Sequence, residues 1–293
     1  MSLAMANPQE LADLLSVLEA DYDAMKARGL ALDLTRGKPA PEQLALSEAL
    51  DGILHGQFTS DGGVDVRNYG GLDGLPEARA LLGGLYDLTP DETLVGGNSS
   101  LQLMYLTLEV ALNRGFRGSG SAWREAGEVS FLCPSPGYDR HFAICEHLGI
   151  HMITVPMTDT GPDMDRVEQL VKADPSIRGI WCVPRFSNPT GCVYSDSTVA
   201  RMAALPLLAD RDFLVMWDNA YSVHALTDDA PALASITGAC REQGTLGNVV
   251  QFGSTSKITL AGAGIAFLGS SAGALAALKD HLGYQTVGPD KVN

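Results

Sequence analysis

The chain has 293 residues, 45% of them hydrophobic, and a formal net charge of −15, enough for one large domain or two smaller ones with buried cores. Its acids are scattered and it has no basic stripe, which argues against a nucleic-acid surface and against anionic membranes. Five cysteines, odd in number and without a CxxC pair, fit reduced thiols in a cytoplasmic protein; no disulfide framework or metal site is expected.

In chain order, Asn7-Pro8-Gln9-Glu10 has the form of a helix start, with Asn as N-cap and Pro at the first helical position. Leu11, Leu14, Leu15, Leu18 and Tyr22 then recur at helical spacing until Gly29. Leu30 to Leu34 alternates as a short strand and runs into Thr35-Arg36-Gly37-Lys38-Pro39, which reads as either an anion site or an exposed turn. Asn68-Tyr69-Gly70-Gly71-Leu72-Asp73-Gly74 is a loop.

From Thr93 onward, apolar strands alternate with helices. Thr93–Val95 leads through Gly96-Gly97-Asn98-Ser99-Ser100 into a helix over 101–112. Val129–Leu132 ends in Cys133-Pro134-Ser135-Pro136-Gly137-Tyr138, with a helix over 142–148. A strand at 151–156, a helix at 163–172 and a strand at 177–183 follow. Ser187-Asn188-Pro189-Thr190-Gly191 precedes a helix over 197–209, and the strand Phe213–Trp217 runs into Asp218-Asn219-Ala220-Tyr221. The longest mostly apolar run, Leu260 to Leu278, is broken by Gly262, Gly264, Gly269 and Gly273, and reads as a buried strand, a turn and a helix rather than a membrane span. No secretory signal is evident at the N-terminus.

This alternation indicates an α/β fold with a mostly parallel central sheet and helices on both faces. In that architecture ligands sit beyond the carboxyl ends of the strands. Polar clusters fall at five such ends: Asn98–Ser100, Tyr138, Asn188, Asp218–Tyr221 and Ser254–Lys257. Lys257 follows Gly253-Ser254-Thr255-Ser256; apolar neighbours would favour its free amine as a nucleophile or base, whereas a solvated turn lysine is the plain alternative. Singly, the other clusters also have plain readings: Ser99, Ser100 and Asp218 as helix caps, Asn188-Pro189 as a turn, Tyr138 as packing. Together they supply what pyridoxal 5′-phosphate requires: a lysine, a buried carboxylate for the pyridine nitrogen, donors to the phenolate oxygen, an aromatic face, and amides and hydroxyls for the phosphate.

The strings SNPTG at 187–191, DNAY at 218–221 and STSK at 254–257, with Asn188 to Asp218 and Asp218 to Lys257 separated by 30 and 39 residues, resemble the class I/II aminotransferases of fold type I. LDLTRGKP, NYGGLDG and GGNSSLQ resemble more narrowly the type Ic aspartate aminotransferases, a subgroup also labelled "MocR-like". The resemblance implies that Lys257 is the Schiff-base lysine and the proton-moving base, that Asp218 pairs with the pyridinium nitrogen, and that Asn188 and Tyr221 bond the phenolate oxygen. It further implies that Tyr138 stacks on the ring and that Ser99, Ser100 and Ser254 hold the phosphate. Tyr69 matches the tyrosine that reaches the neighbouring subunit's phosphate, which implies a homodimer with shared active sites. Gly37, with Arg36 beside it and Asn188, falls at the substrate.

Two departures stand out. Ile265 occupies the position, eight residues after the lysine, where many relatives carry a phosphate-clamping arginine. The small C-terminal domain that carries the carboxylate-binding arginine in the family is apparently missing, so the domains read as an N-terminal arm and small-domain segment over 1–60 and a large cofactor-binding domain over 61–293. The expected function is a pyridoxal-phosphate-dependent transaminase moving an amino group between an amino acid, aspartate or another dicarboxylate, and a 2-oxo acid. Arg185, three residues before Asn188, reads as either the second cation for an acidic substrate or an exposed strand-end arginine. A lyase, a decarboxylase or the sensor domain of a regulator remains the alternative.

Overall fold

The computed structural model describes residues 7–32, 38–116, 122–209 and 212–293. Residues 1–40 and 41–293 form two compact units. In the first, α1 (Pro8–Ala27) begins as its sequence dictates: Asn7 Oδ1 accepts from the amides of Gln9 and Glu10, and Glu10 Oε2 accepts from the Asn7 amide. Its apolar face is exposed, Leu15 by 56% and Leu18 by 55%. Leu30 to Leu32 is irregular, not a strand, because no strand among the described residues pairs with it. The rest of that segment, with Arg36 and Gly37, lies outside the described residues.

The larger unit, in which residues 41–60 also fall, is organised by one eight-stranded sheet. Its strands are β1 (Thr93–Val95), β2 (Ser130–Ser135), β3 (His151–Thr158), β4 (Gly161–Pro162), β5 (Ile177–Cys182), β6 (Leu214–Asp218), β7 (Val249–Ser254) and β8 (Ala266–Gly269). They lie in the order β1-β8-β7-β6-β5-β2-β3-β4. The run from β3 through β2, β5 and β6 to β7 is parallel, while β8 is antiparallel to both β7 and β1.

The helices cover both faces because the strand side chains alternate between two cores. Val215 and Trp217 face one side, packed with residues of α6 (Met164–Ala173), α7 (Asp196–Ala209) and α8 (Ile236–Gln243). Leu214 and Met216 face the other, with α4 (Ser100–Arg114), α5 (Asp139–Leu148) and α9 (Ala272–Leu282). All four strand residues are fully buried, each contributing about 1.5–3 kcal/mol of burial. The apolar run at 260–278 resolves into β8 and the start of α9, and no helix among the described residues is long and apolar enough to cross a membrane. Three of the described helices, α2 (Pro41–Ala45), α3 (Pro76–Gly84) and α8, were not anticipated in the sequence.

Strand direction fixes where chemistry can gather. β2, β5, β6 and β7 end at one edge of the sheet. Because β8 runs back between β7 and β1, β1 ends there too. The five polar clusters therefore emerge side by side.

Candidate active site

Asp218 is the last residue of β6 and is 5% exposed. A buried carboxylate is costly unless its oxygens find donors. One does: His141 Nε2 lies 3.0 Å from Oδ2. The other, Oδ1, is buried and has no partner among the described residues. His141 sits in the first turn of α5, three residues after Tyr138, and is itself 1% exposed. It is the site residue that sequence reasoning missed. The available signal was its i+3 spacing from Tyr138, which puts both on one side of the helix start.

Tyr138 meets the edge of the His141 ring at 5.1 Å between centroids. Burial, and then the negative charge of Asp218, push the Tyr138 phenol above its ordinary range. The same two causes raise Tyr221, opposed by a hydrogen bond with the Asn188 side chain. Tyr138, Asn188, Asp218 and Tyr221 thus share one electrostatic neighbourhood. Lys257 joins it: Nζ lies 4.8 Å from the centroid of the Tyr221 ring, and His224 Nε2 is 3.2 Å from the Lys257 carbonyl oxygen. Since that carbonyl can only accept, Nε2 carries the proton.

Of the two settings its sequence allows, the fold gives Lys257 the solvated turn. β7 ends at Ser254, and the lysine lies in a turn beyond it, exposed, while the apolar residues before it are buried in the sheet. That turn is fastened to the start of α4. Ser256 Oγ donates to the Asn98 carbonyl and Asn98 Nδ2 to the Gly262 carbonyl, each at 3.2 Å. Gly96 N and Ala266 N donate to the Ala266 and Gly97 carbonyls, each at 2.9 Å. Gly264 permits the close approach; a Cβ there would lie 2.8 Å from Thr255 Oγ1 and 3.1 Å from Ser256 N. Ser99, Ser100 and Ser254 are drawn together this way, all half-buried. The Ser99 side chain makes no capping bond, so the N-terminus of α4 is not closed by its own cap and its amides suit an anion. Ile265, in the place of the arginine, bonds Thr255 through its main chain, donating to Oγ1 and accepting from the Thr255 amide at 2.8 Å each.

Tyr69 stands apart on its loop, 81% exposed. Arg185 is engaged otherwise than expected. Its guanidinium donates to the backbone carbonyls of Ser222 and Pro231 and lies 5.0 Å from the Phe186 ring centroid. Beside Tyr221 and His224 opens a cavity of about 560 Å³, walled by Phe186, Leu226 and Pro231, within the usual range for small-molecule sites.

A Mycolicibacterium smegmatis protein classed as an aminotransferase is 46% identical over 278 residues, covering 94% of this chain and 65% of its own. The chain thus spans less than two thirds of the length of the curated relatives it matches. The crystal structure of an aspartate transaminase from Corynebacterium glutamicum superposes with a TM-score of 0.92 at 41% identity, over 100% of this chain and 69% of that one. An α-aminoadipate aminotransferase of Thermus thermophilus, complexed with N-(5′-phosphopyridoxyl)-L-leucine, matches at a TM-score of 0.67 and 25% identity, over 88% of this chain and 60% of that one. The family model for aspartate amino-transferase runs from residue 6 to residue 293, and the chain belongs to that family.

Proposed function

We propose that the protein is a pyridoxal-phosphate-dependent aminotransferase, exchanging an amino group between an amino acid and a 2-oxo acid, with aspartate or another dicarboxylate as the amino donor. The observation that carries this reading is the orphaned Asp218 Oδ1, a buried acceptor without a donor, in the neighbourhood of Tyr221 and Lys257. A protonated ring nitrogen supplies the missing partner, and the donor set around it fits the cofactor.

When bound, pyridoxal phosphate supplies a ring that delocalises the electron pair left behind at the substrate Cα. The protein's residues do the rest. Asp218 holds the proton on the ring nitrogen, and His141 keeps Oδ2 occupied. Tyr221 and Asn188, bonded to each other, donate to the ring hydroxyl oxygen. Tyr138 covers one ring face. The α4 amides with Ser99, Ser100 and Ser254 bind the phosphate. Lys257 Nζ would tether the cofactor and, once released by the substrate amine, would act as the base that takes the proton from the substrate Cα.

Arg36, Gly37 and Asn188 are assigned to the substrate carboxylates. The exposed Tyr69 is assigned to the phosphate of a second subunit, so the working form is a homodimer in the cytoplasm, where its five unpaired cysteines stay reduced. Residues 61–293 act as the cofactor domain and 1–60 as the arm and small-domain segment. Lys257→Ala removes both the tether and the base, and should abolish the visible absorbance of the bound cofactor together with aspartate–2-oxoglutarate exchange. An unchanged spectrum in that variant rules the assignment out. A parent enzyme that binds the cofactor yet exchanges no amino group with aspartate removes the dicarboxylate preference alone.

A further inference from the structure

Behind the His141–Asp218 pair lies an indole that the proposed function leaves unused. Trp181, in β5, is stacked on the His141 imidazole with centroids 4.2 Å apart and planes within 8° of parallel. It is 2% exposed. Its Nε1–H donates to Cys145 Sγ at 3.2 Å. Indole has one donor and no acceptor, so turning the ring in its plane or flipping it leaves that proton unpaired in a dry core, which costs more than the bond contributes.

Cys145 follows His141 by four residues on α5, and residues at that spacing share a helix face. The helix therefore grips the indole at two points, an imidazole on its face and a sulfur at its nitrogen. Cys145 is in turn hydrogen-bonded to Cys133 of β2. Tyr138 closes the imidazole from its edge. A simple packing residue in this place needs only volume. Here the ring plane, the N–H direction and the spacing of its two helix partners all agree.

We propose that Trp181 is a positioning residue for cofactor binding: stacked on His141 and pinned by Cys145, it fixes the imidazole plane so that Nε2 stays on Asp218 Oδ2 and Oδ1 remains the oxygen free for the ring nitrogen. This rests on the aminotransferase reading for its last step, but the hold on His141 exists without any cofactor.

The test uses the full chain labelled with ¹⁵N-histidine. Without cofactor, NMR of the ring nitrogens reports the His141 hydrogen bond, with His141→Asn identifying the signal. Pyridoxal phosphate titration then gives affinity. Trp181→Leu should move the His141 nitrogens toward the tautomer-averaged position and weaken cofactor binding about tenfold. Trp181→Phe, which keeps a stacked ring, should restore most of that loss, and Cys145→Ser, which keeps an acceptor, should match the parent. Unchanged His141 signals and unchanged affinity in a folded Trp181→Leu variant overturn the proposal. If that variant does not fold, Cys145→Ala serves instead: shifted His141 signals support the proposal, and unshifted ones overturn it. A parent protein that binds no pyridoxal phosphate defeats the functional reading, while the NMR comparison still decides the role of Trp181.

Discussion

Replacing Asp218 with asparagine tests the centre of the site with the least disturbance of shape. The carboxylate is buried, with His141 on one oxygen at 3.0 Å and no partner on the other among the described residues. Asn keeps the volume and one carbonyl oxygen but removes the charge. A hydrogen bond to a charged partner contributes about 1.5–3 kcal/mol and a neutral one about 1, so the cofactor should bind more weakly by about 1–2 kcal/mol, roughly 5–30-fold. Turnover should suffer more, because the lost charge acts where electron density accumulates during reaction; removal of one such preorganised group costs on the order of 10²–10³ in kcat. Apoenzyme titrated with pyridoxal phosphate gives the first quantity, and steady-state exchange between aspartate and 2-oxoglutarate the second. Thermal melting checks that the fold is intact. A folded variant that binds the cofactor like the parent and turns over within about threefold of it would refute the role given to Asp218.

Two predictions concern the scaffold. Arg241 grips Glu92 with two bonds, Nη1 to Oε1 at 2.9 Å and Nη2 to Oε2 at 2.7 Å, and this pairing holds the Glu92 carboxyl below its ordinary range. Arg241 is 44% exposed along its side chain, so Arg241→Ala should cost only about 0.5–1 kcal/mol near neutral pH. A depressed carboxylate contributes stability above its unfolded pKa and loses it as pH falls through the folded value, so the gap between parent and variant in urea titrations should close below about pH 4. A gap that widens on acidification contradicts the pairing. Gly179, in the middle of β5, leaves no room for a methyl: a Cβ there would lie 2.3 Å from Phe131 Cζ and 2.6 Å from the Leu214 carbonyl oxygen. Gly179→Ala should therefore destabilise by about 3 kcal/mol, read as a lower urea midpoint, and an unshifted midpoint is incompatible with the β5–β6 packing described.

The core strands were legible because each is a short apolar run that stops at a polar cluster. Parallel strands buried on both faces must look that way. Their ends marked the candidate site for the same reason. What could not be read was side-chain company across the sheet. Nothing local in the sequence marks His141 as the partner of Asp218, 77 residues away. The Lys257 stretch allowed both an apolar setting and a solvated turn, and only the end of the strand at Ser254, which carries the lysine outward, decides between them. Arg185 read as a free cation, whereas the segment from Ser222 to Pro231 folds back and occupies it. α8 escaped notice because it is eight residues long with a glycine inside, too short for helical periodicity to show.

The four bonds that join Gly96–Asn98 to Ser256, Gly262 and Ala266 also bear on what binding must cost. Loops that close around a ligand ordinarily surrender conformational freedom at the moment of capture, which subtracts from affinity. Here the turn proposed to bind the phosphate and the lysine turn are fastened to each other as the chain folds, with the antiparallel return of β8 acting as the brace. A phosphate bound there as proposed would meet a receptor whose shape does not have to be made, and a mutation at Gly262 or Ala266 would spoil the fit without touching the ligand.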